Sequence, residues 1–434
     1  MGFGRVTRVL RRLIQPGMAR SIVGISGASV AAQGLALAVS PILTRLYDPS
    51  AFGVFAYISA IVMTISVIAG LRMEMAIPIC SSDPEAGKVA RLAMLIAATV
   101  SIGLLLLVPM FGSEIDDRTP LDLMPALWWA PPSVFALASF TILSQLSIRQ
   151  RDFGAVARRN FTQAWATAIL QVALAATHKA EGLLTGQMLG RGLAASMLAW
   201  RNRGLLRERP SARYAELVRR FWRFPAIFTP SALLNTLGLT LPVLMVGAWF
   251  GAGSAGQLDL ANRMILGPLV LIGAAVSQVL LGEMAARHRA AESPMMPLFK
   301  MVALRLTYVA VPFALATALL APRVFPVLFG PEWLQAGQDA RLMAPAAAMS
   351  LVAGPLSQAF FIYQKGVQLI VVDTLRVALV AGSGWIAFHS SGDESVVIAA
   401  IFGALAVAQG ASLFVCWRVV SRGDRLLSLS SDSA

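Results

Sequence analysis

The stretch 224–286 constrains this chain more than any other. It reads FPAIFTPSALLNTLGLTLPVLMVGAWF, a short break GAGSAGQ, then LDLANRMILGPLVLIGAAVSQVLLGEMAA. Each run holds more than 20 mainly apolar residues, enough at about 1.5 Å per residue to cross a hydrocarbon layer about 30 Å thick. The pair reads as a membrane hairpin. Yet Asn235, Thr236, Asp259, Asn262, Arg263, Gln278 and Glu283 lie on it, and one central Arg or Asp costs roughly 2.5–3.5 kcal/mol in lipid. A packed bundle around a polar interior is implied. Pro225, Pro230, Pro242 and Pro268 add points where helices bend, because each lacks a backbone donor.

The rest of the chain follows the same pattern. Of its 434 residues 57% are hydrophobic and only 13% charged, with a mean hydropathy of +0.70; a soluble domain carries about 25% charge. Twelve apolar runs fall at about 21–43, 52–79, 89–111, 125–148, 158–177, 182–200, 224–250, 258–286, 298–320, 338–363, 367–388 and 395–417. The first is too long for a cleaved signal core and remains as a span. A net charge of +14 invites a nucleic-acid reading, but the basic residues crowd into alternate loops, which is the orientation signal of a polytopic membrane protein. With both termini cytoplasmic, the inner segments hold 26 Lys and Arg, the outer segments five (Arg45, Arg118, Lys179, Arg323, Arg341), and the spans another five. The opposite orientation would put the 26 outside. Tryptophans fit interfacial belts: Trp128, Trp129, Trp249, Trp333 and Trp385 near outer ends, Trp200, Trp222 and Trp417 near inner ends, with Trp165 alone mid-span.

This divides the chain into a basic amphipathic N-terminal segment (1–20), an N-lobe of helices one to six (21–200), a basic cytoplasmic linker (201–223), a C-lobe of helices seven to twelve (224–420) and a cytoplasmic tail (421–434). The fold class is therefore all-α polytopic membrane protein, about twelve transmembrane helices in two six-helix lobes. A faint repeat supports the division, because YDPSAFG at 47–53 resembles FGAGSAG at 250–256. Six spans per half is an even number, so the halves enter the membrane alike. The repeat is parallel, as in transporters that rock two halves about a central cavity.

The five arginines within spans are Arg72, Arg191, Arg263, Arg305 and Arg376. Each needs a partner or a hydrated cavity, and together they suit an anionic substrate through bidentate phosphate contacts. For Arg72 and Arg263 the alternative is a structural pair with Glu74 or Asp259; for Arg191, Arg305 and Arg376, toward inner halves of spans, it is snorkelling to the interface. Glu74, Asp259, Glu283 and Asp373 are candidates for a coupling proton or Na+, or else ion-pair partners of nearby arginines. Pro41, Pro230 and Pro242 are candidate hinges. No catalytic residue stands out. His178, His288 and His389 lie at span ends, and Cys80 and Cys416 lie at opposite ends of the chain, so no metal set is expected. No GxxxxGK(S/T) loop occurs, which excludes an ATP pump with its own nucleotide domain.

Four stretches resemble the polysaccharide and O-antigen flippases of the multidrug/oligosaccharidyl-lipid/polysaccharide exporter superfamily: LTRLYDPSAFGVFAYISAI (43–61), LRMEMAIPICSSDPEA (71–86), the hairpin at 224–283, and LFGPEWLQAGQDARLMAP (328–345). The ordered set carries the likeness. It implies two six-helix lobes forming a V around a central cavity, and translocation of an undecaprenyl-pyrophosphate-linked oligosaccharide across the bacterial inner membrane by alternating access. The family's basic cavity residues would fall on Arg72 and Arg263. No cofactor is implied beyond a coupling Na+ or H+; membrane lipids, a polysaccharide polymerase and glycosyltransferases are the implied partners, and nucleic acid is not. Two alternatives remain: an ion-coupled multidrug antiporter, whose cavity should be acidic or aromatic, and a membrane polysaccharide polymerase or ligase, which would need a sizeable outer loop.

Overall fold

A computed structural model of the chain describes residues 16–117, 119–150, 152–177, 179–207, 214–290, 295–363 and 365–431. The basic segment at 1–20 lies outside them except for its last five positions. Among the described residues there is no strand, and twelve helices of 20 residues or more occupy the twelve apolar runs. They are α1 (Pro16–Leu46), α2 (Pro49–Ala69), α3 (Asp83–Asp117), α4 (Ala130–Arg149), α5 (Phe153–Ala173), α6 (Ala180–Arg201), α7 (Thr229–Phe250), α8 (Ala252–Ala290), α9 (Met296–Phe329), α10 (Leu334–Leu356), α11 (Gly366–Ser391) and α12 (Glu394–Ser431). Among the described residues, nine of these are long and apolar enough to cross a membrane; α1, α5 and α6 stand outside that set. On α5 and α6 the reason is polarity, since they carry Arg158, Arg159, Asn160, Gln163, Gln171, Gln187 and Arg191.

The chain divides into two compact units, one comprising Met1–Leu46, Ile61–Glu114 and Leu123–Pro230, the other Tyr47–Ala60, Ile115–Asp122 and Ser231–Ala434. The division runs through α2. In the first unit, Leu143, Ala155, Ala195 and Leu198 form a buried cluster joining α4, α5 and α6, with Met94 and Leu206 packed against it. Small residues set the α5–α6 spacing, because a Cβ on Gly186 or Gly190 would run into the α5 backbone at Gln171 or Thr167. Gln171 donates to the Leu183 carbonyl at 3.0 Å and ties the same pair. A hydroxyl next to a proline supplies local polarity on α1, where Ser40 bonds the Ala36 carbonyl at 2.7 Å beside Pro41.

The second unit is built on an aromatic core. Trp333 is fully buried, its ring edge-on to Phe52 at 5.1 Å, and Gln257 of α8 holds the entry to α10 by donating to the Glu332 carbonyl at 2.6 Å and accepting from the Ala336 amide at 2.8 Å. Trp333 is therefore a core residue and not part of an interfacial belt. The two halves of the sequence repeat meet here: a Cβ on Gly53 would strike the Ala252 backbone, and one on Gly256 would strike the Pro49 carbonyl. At the other end of the unit, Asp424 accepts from the Met295 and Met296 amides at 2.9 and 2.8 Å, capping the start of α9 from α12.

Two boundaries differ from the sequence reading. The run at 52–79 is not one span: α2 ends at Ala69, and Leu71 and Arg72 take left-handed φ values of 47° and 54° before a short 3₁₀ helix, Met73–Ile79. The run at 158–177 begins earlier as a helix, at Phe153, because Asp152 caps α5 by accepting from the Ala155 amide at 3.0 Å. The Gly53–Gly256 contact generates a prediction. Substituting Gly256→Val forces backbone apart where no side chain can yield, and is expected to cost about 3 kcal/mol or more, read as a lowered thermal midpoint of the detergent-solubilised protein; an unchanged midpoint would contradict the packing described.

Candidate functional site

In the first unit, the break after α2 shapes a small open recess. It is lined by Ser66, Val67, Gly70, Arg72, Glu74, Ala138, Thr141 and Ile142, drawn from the end of α2, the 3₁₀ segment and the middle of α4. Two consecutive non-glycine residues with positive φ are strained, at about 1–3 kcal/mol each, and such strain persists only where the surroundings hold it. Arg72 Nη1 donates to Glu74 Oε1 at 3.4 Å, while Arg72 Nε and Glu74 Oε2 are buried without a hydrogen-bond partner. Glu74 lies past the apolar span, and burial pushes its carboxyl up from the ordinary carboxylate range, against the pull of its own backbone amide and of Arg72. Arg191 sits half-buried on α6, next to the tight Gly190 contact.

In the second unit, Arg263 and Arg376 are held by acids on their own helices. Arg263 pairs with Asp259 one turn earlier on α8 at 2.5 Å, and its guanidinium lies over the Phe55 ring at 4.7 Å, a cation–π contact. Arg376 pairs with Asp373 on α11 at 3.3 Å and donates to the backbone carbonyl and side-chain oxygen of Asn235 on α7, at 3.3 and 3.1 Å. Gly238 leaves the room for it, since a Cβ there would meet the guanidinium. Glu283 is joined by Arg287 at 2.9 Å. Arg305 is exposed on α9. All four acids singled out from the sequence thus stand beside an arginine within four residues.

Of the candidate hinges, Pro41 and Pro242 are inside α1 and α7, and Pro230 is the second residue of α7, just after a π-helical turn, Phe224–Phe228. Sequence reasoning missed several polar groups. Arg159, nine-tenths buried, bonds the Ser144 hydroxyl and the Asn160 side chain and lies over the Phe140 ring at 4.3 Å; its place at the start of the apolar run 158–177 was the signal that could have found it. Asp339, fully buried, accepts from Gln335 at 3.1 Å and lies within electrostatic reach of Glu394. Asp339 falls in the 328–345 stretch and at the very start of the apolar run 338–363, where an acid passes for a span-end charge.

A family model described as polysaccharide biosynthesis protein matches residues 42–338. The chain belongs to that family. Teichuronic acid biosynthesis protein TuaB of Bacillus subtilis (strain 168) is 25% identical over 173 residues, 38% of this chain and 35% of that protein, so the match spans about a third of the relative's length. A multidrug resistance MATE family transporter of the MOP superfamily, solved inward-facing, superposes with a TM-score of 0.74 at 12% identity over 92% of this chain and 98% of its own. Lipid II flippase MurJ in an inward closed conformation gives 0.72 at 12% identity, over 93% and 91%. At that identity the likeness establishes the fold: this polysaccharide biosynthesis family member is a multi-pass membrane protein with the helical fold of those transporters.

Two outcomes are expected from the ion pairs. Glu74 contributes stability when neutral, fully so below about pH 4, and loses it as pH rises through its raised folded value. Burial outweighs Arg72 because the pair is long and Arg72 keeps 31% of its side chain exposed. Glu74→Gln should therefore gain thermal stability over the parent as pH climbs from about 4 to 7; a variant less stable at neutral pH would mean the ion pair dominates. Arg376→Ala leaves the buried Asp373 carboxylate unpaired and should cost about 3–5 kcal/mol, with Asp373→Asn added to it recovering part of the loss. Equal losses for single and double variants in thermal melts would contradict the pairing.

Proposed function

We propose that this chain is a flippase that moves an undecaprenyl-pyrophosphate-linked oligosaccharide, a polysaccharide or O-antigen repeat unit, from the cytoplasmic to the periplasmic leaflet of a bacterial inner membrane by alternating access. The family match over 42–338 carries the reading, and a fold shared with a lipid II flippase supports it. The chemistry of the spans agrees. A guanidinium has five donors, and an ion pair to one carboxylate occupies one or two of them, so Arg72, Arg263 and Arg376 keep donors for phosphate while their acids hold them in place. Arg191 and Arg305 add positive charge on α6 and α9.

In this mechanism the diphosphate and sugars enter from the cytoplasmic side while the polyprenyl tail stays in lipid, and the halves rock at helices weakened by Pro41, Pro230 and Pro242. A proton or Na+ bound by Glu74, Asp259, Glu283 or Asp373 supplies the driving force. Both termini are cytoplasmic, and a polymerase and glycosyltransferases act before and after the flip. Multidrug efflux fits the fold as well, but not the family. No step requires bond making by this chain, which is a transporter in this reading.

The test is leaflet orientation of a lipid-linked oligosaccharide in vesicles containing the purified protein, with and without an imposed Na+ or proton gradient. Protein-dependent movement to the opposite leaflet is expected, and Arg191→Gln, Arg305→Gln and Arg376→Gln together should abolish it while the protein remains inserted. Unchanged movement in the triple variant rejects the cationic role; no movement with the parent protein under any gradient rejects the flippase.

A further inference from the structure

The linker 201–223 carries eight basic residues, and the charge pattern alone makes it a free positive loop. Its contacts within the first unit are otherwise. Arg201 pairs with Asp152, and Asn202 donates to the Ser147 hydroxyl at 3.1 Å. A Cβ on Gly87 would run into the Leu205 carbonyl, so the helix Arg203–Arg207 lies directly on the start of α3. The next helix, Tyr214–Arg220, buries Leu217 and the following Phe221. Its Tyr214 ring sits under the Lys88 ammonium at 5.0 Å. Arg220 closes the set: Nη1 donates to Glu85 at 2.6 Å and Nη2 to the Ser81 hydroxyl at 2.9 Å, while the other Glu85 oxygen accepts from the Ser81 amide at 2.7 Å.

The surface that receives the linker is itself clamped. Arg149, the last residue of α4, donates through Nη1 to the carbonyls of Ile77, Pro78 and Cys80 at 3.2, 3.2 and 2.8 Å, and through Nε to Asp83 at 2.9 Å. One guanidinium thus gathers the end of the 3₁₀ segment and the cap of α3. The residue just before that segment is the strained Arg72, whose backbone needs such external restraint.

Past the buried Phe221 the anchoring changes character. Beyond the local bond from the Phe224 amide to the Phe221 carbonyl, among the described residues no hydrogen bond or ion pair ties 222–230 to the rest of the first unit, and the turn Phe224–Phe228 only packs against the 3₁₀ segment Met73–Ile79. The turn Phe224–Phe228 is π-helical and contains Pro225, Pro230 is the last residue of the first unit, and the second unit resumes at Ser231. A π turn followed two residues later by Pro230, which lacks a backbone donor, has fewer backbone bonds to hold its shape.

We propose that 201–223 is a strap fixed to the first unit through the Glu85–Arg220–Ser81 lock, and that 224–230 is the pivot through which the chain enters α7. This does not depend on the cargo, and its test reads the backbone directly. Hydrogen exchange is followed in the full chain in lipid nanodiscs, for the parent, Arg220→Glu, Glu85→Arg and the swapped double variant. Arg220→Glu sets a second carboxylate against the buried Glu85, and Glu85→Arg sets a second guanidinium against Arg220, so exchange at 214–221 should rise about fivefold or more in each single variant. The swap should return it toward the parent rate, while amides of α7 beyond 231 stay unchanged throughout. In the parent, 224–229 should exchange faster than 214–221. Slow exchange at 214–221 in the single variants, a swapped protein as fast as the singles, or a turn at 224–229 as protected as α7 would each overturn the proposal. If Arg220→Glu fails to accumulate, Arg220→Gln carries the same comparison.

Discussion

A full charge in or beside a membrane-spanning helix needs a counter-charge, a polar partner or water, and three of the five arginines singled out from the sequence have an acid within about one turn. Arg72 has Glu74 two residues on, Asp373 has Arg376 three on, and Asp259 has Arg263 four on. Close sequence spacing makes these pairs independent of how neighbouring helices move. It also leaves the arginines incompletely used. Phe55 contributes a ring face to Arg263 and Asn235 two oxygens to Arg376, but neither adds a negative charge. The pairs neutralise the helices without exhausting the donors, which is what a protein needs if the same groups are to meet a passing phosphate.

Around those charges, the fold relies on close backbone approach. Gly53 and Gly256 let the starts of α2 and α8 touch, and Gly186 and Gly190 do the same for α5 and α6. In an apolar medium such contacts, and not burial from water, hold helices together. Polar side chains complete the framework where backbone groups would otherwise be stranded, as Gln257 does at the entry to α10 and Asp424 at the start of α9.

Much of this was legible in the sequence. Runs of apolar residues long enough for a bilayer leave little choice but helix, and the twelve runs correspond to twelve helices. The faint likeness between 47–53 and 250–256 proved to be two segments in contact, each with a glycine where the other needs space. The acids next to the intramembrane arginines were visible as neighbours in the chain. What was hidden depended on contacts distant in sequence or on backbone conformation. Arg149 and Arg220 looked like orientation charges because their partners lie 66 or more residues away. The left-handed turn at Leu71 and Arg72 breaks an apolar run whose stop signals, Gly70 and Pro78, are outweighed by the hydropathy around them. Trp333 resembled an interfacial aromatic until Phe52 was found against it.

The central claim is that arginines already paired with acids still present donors to a diphosphate. It is tested most directly by native mass spectrometry of the purified protein with undecaprenyl diphosphate, undecaprenyl monophosphate and a neutral polyprenol. The account predicts retention of the diphosphate well above the other two, and loss of that preference in the Arg263→Gln, Arg376→Gln double variant. Equal retention of all three lipids, or a diphosphate preference that survives the double substitution, would contradict it.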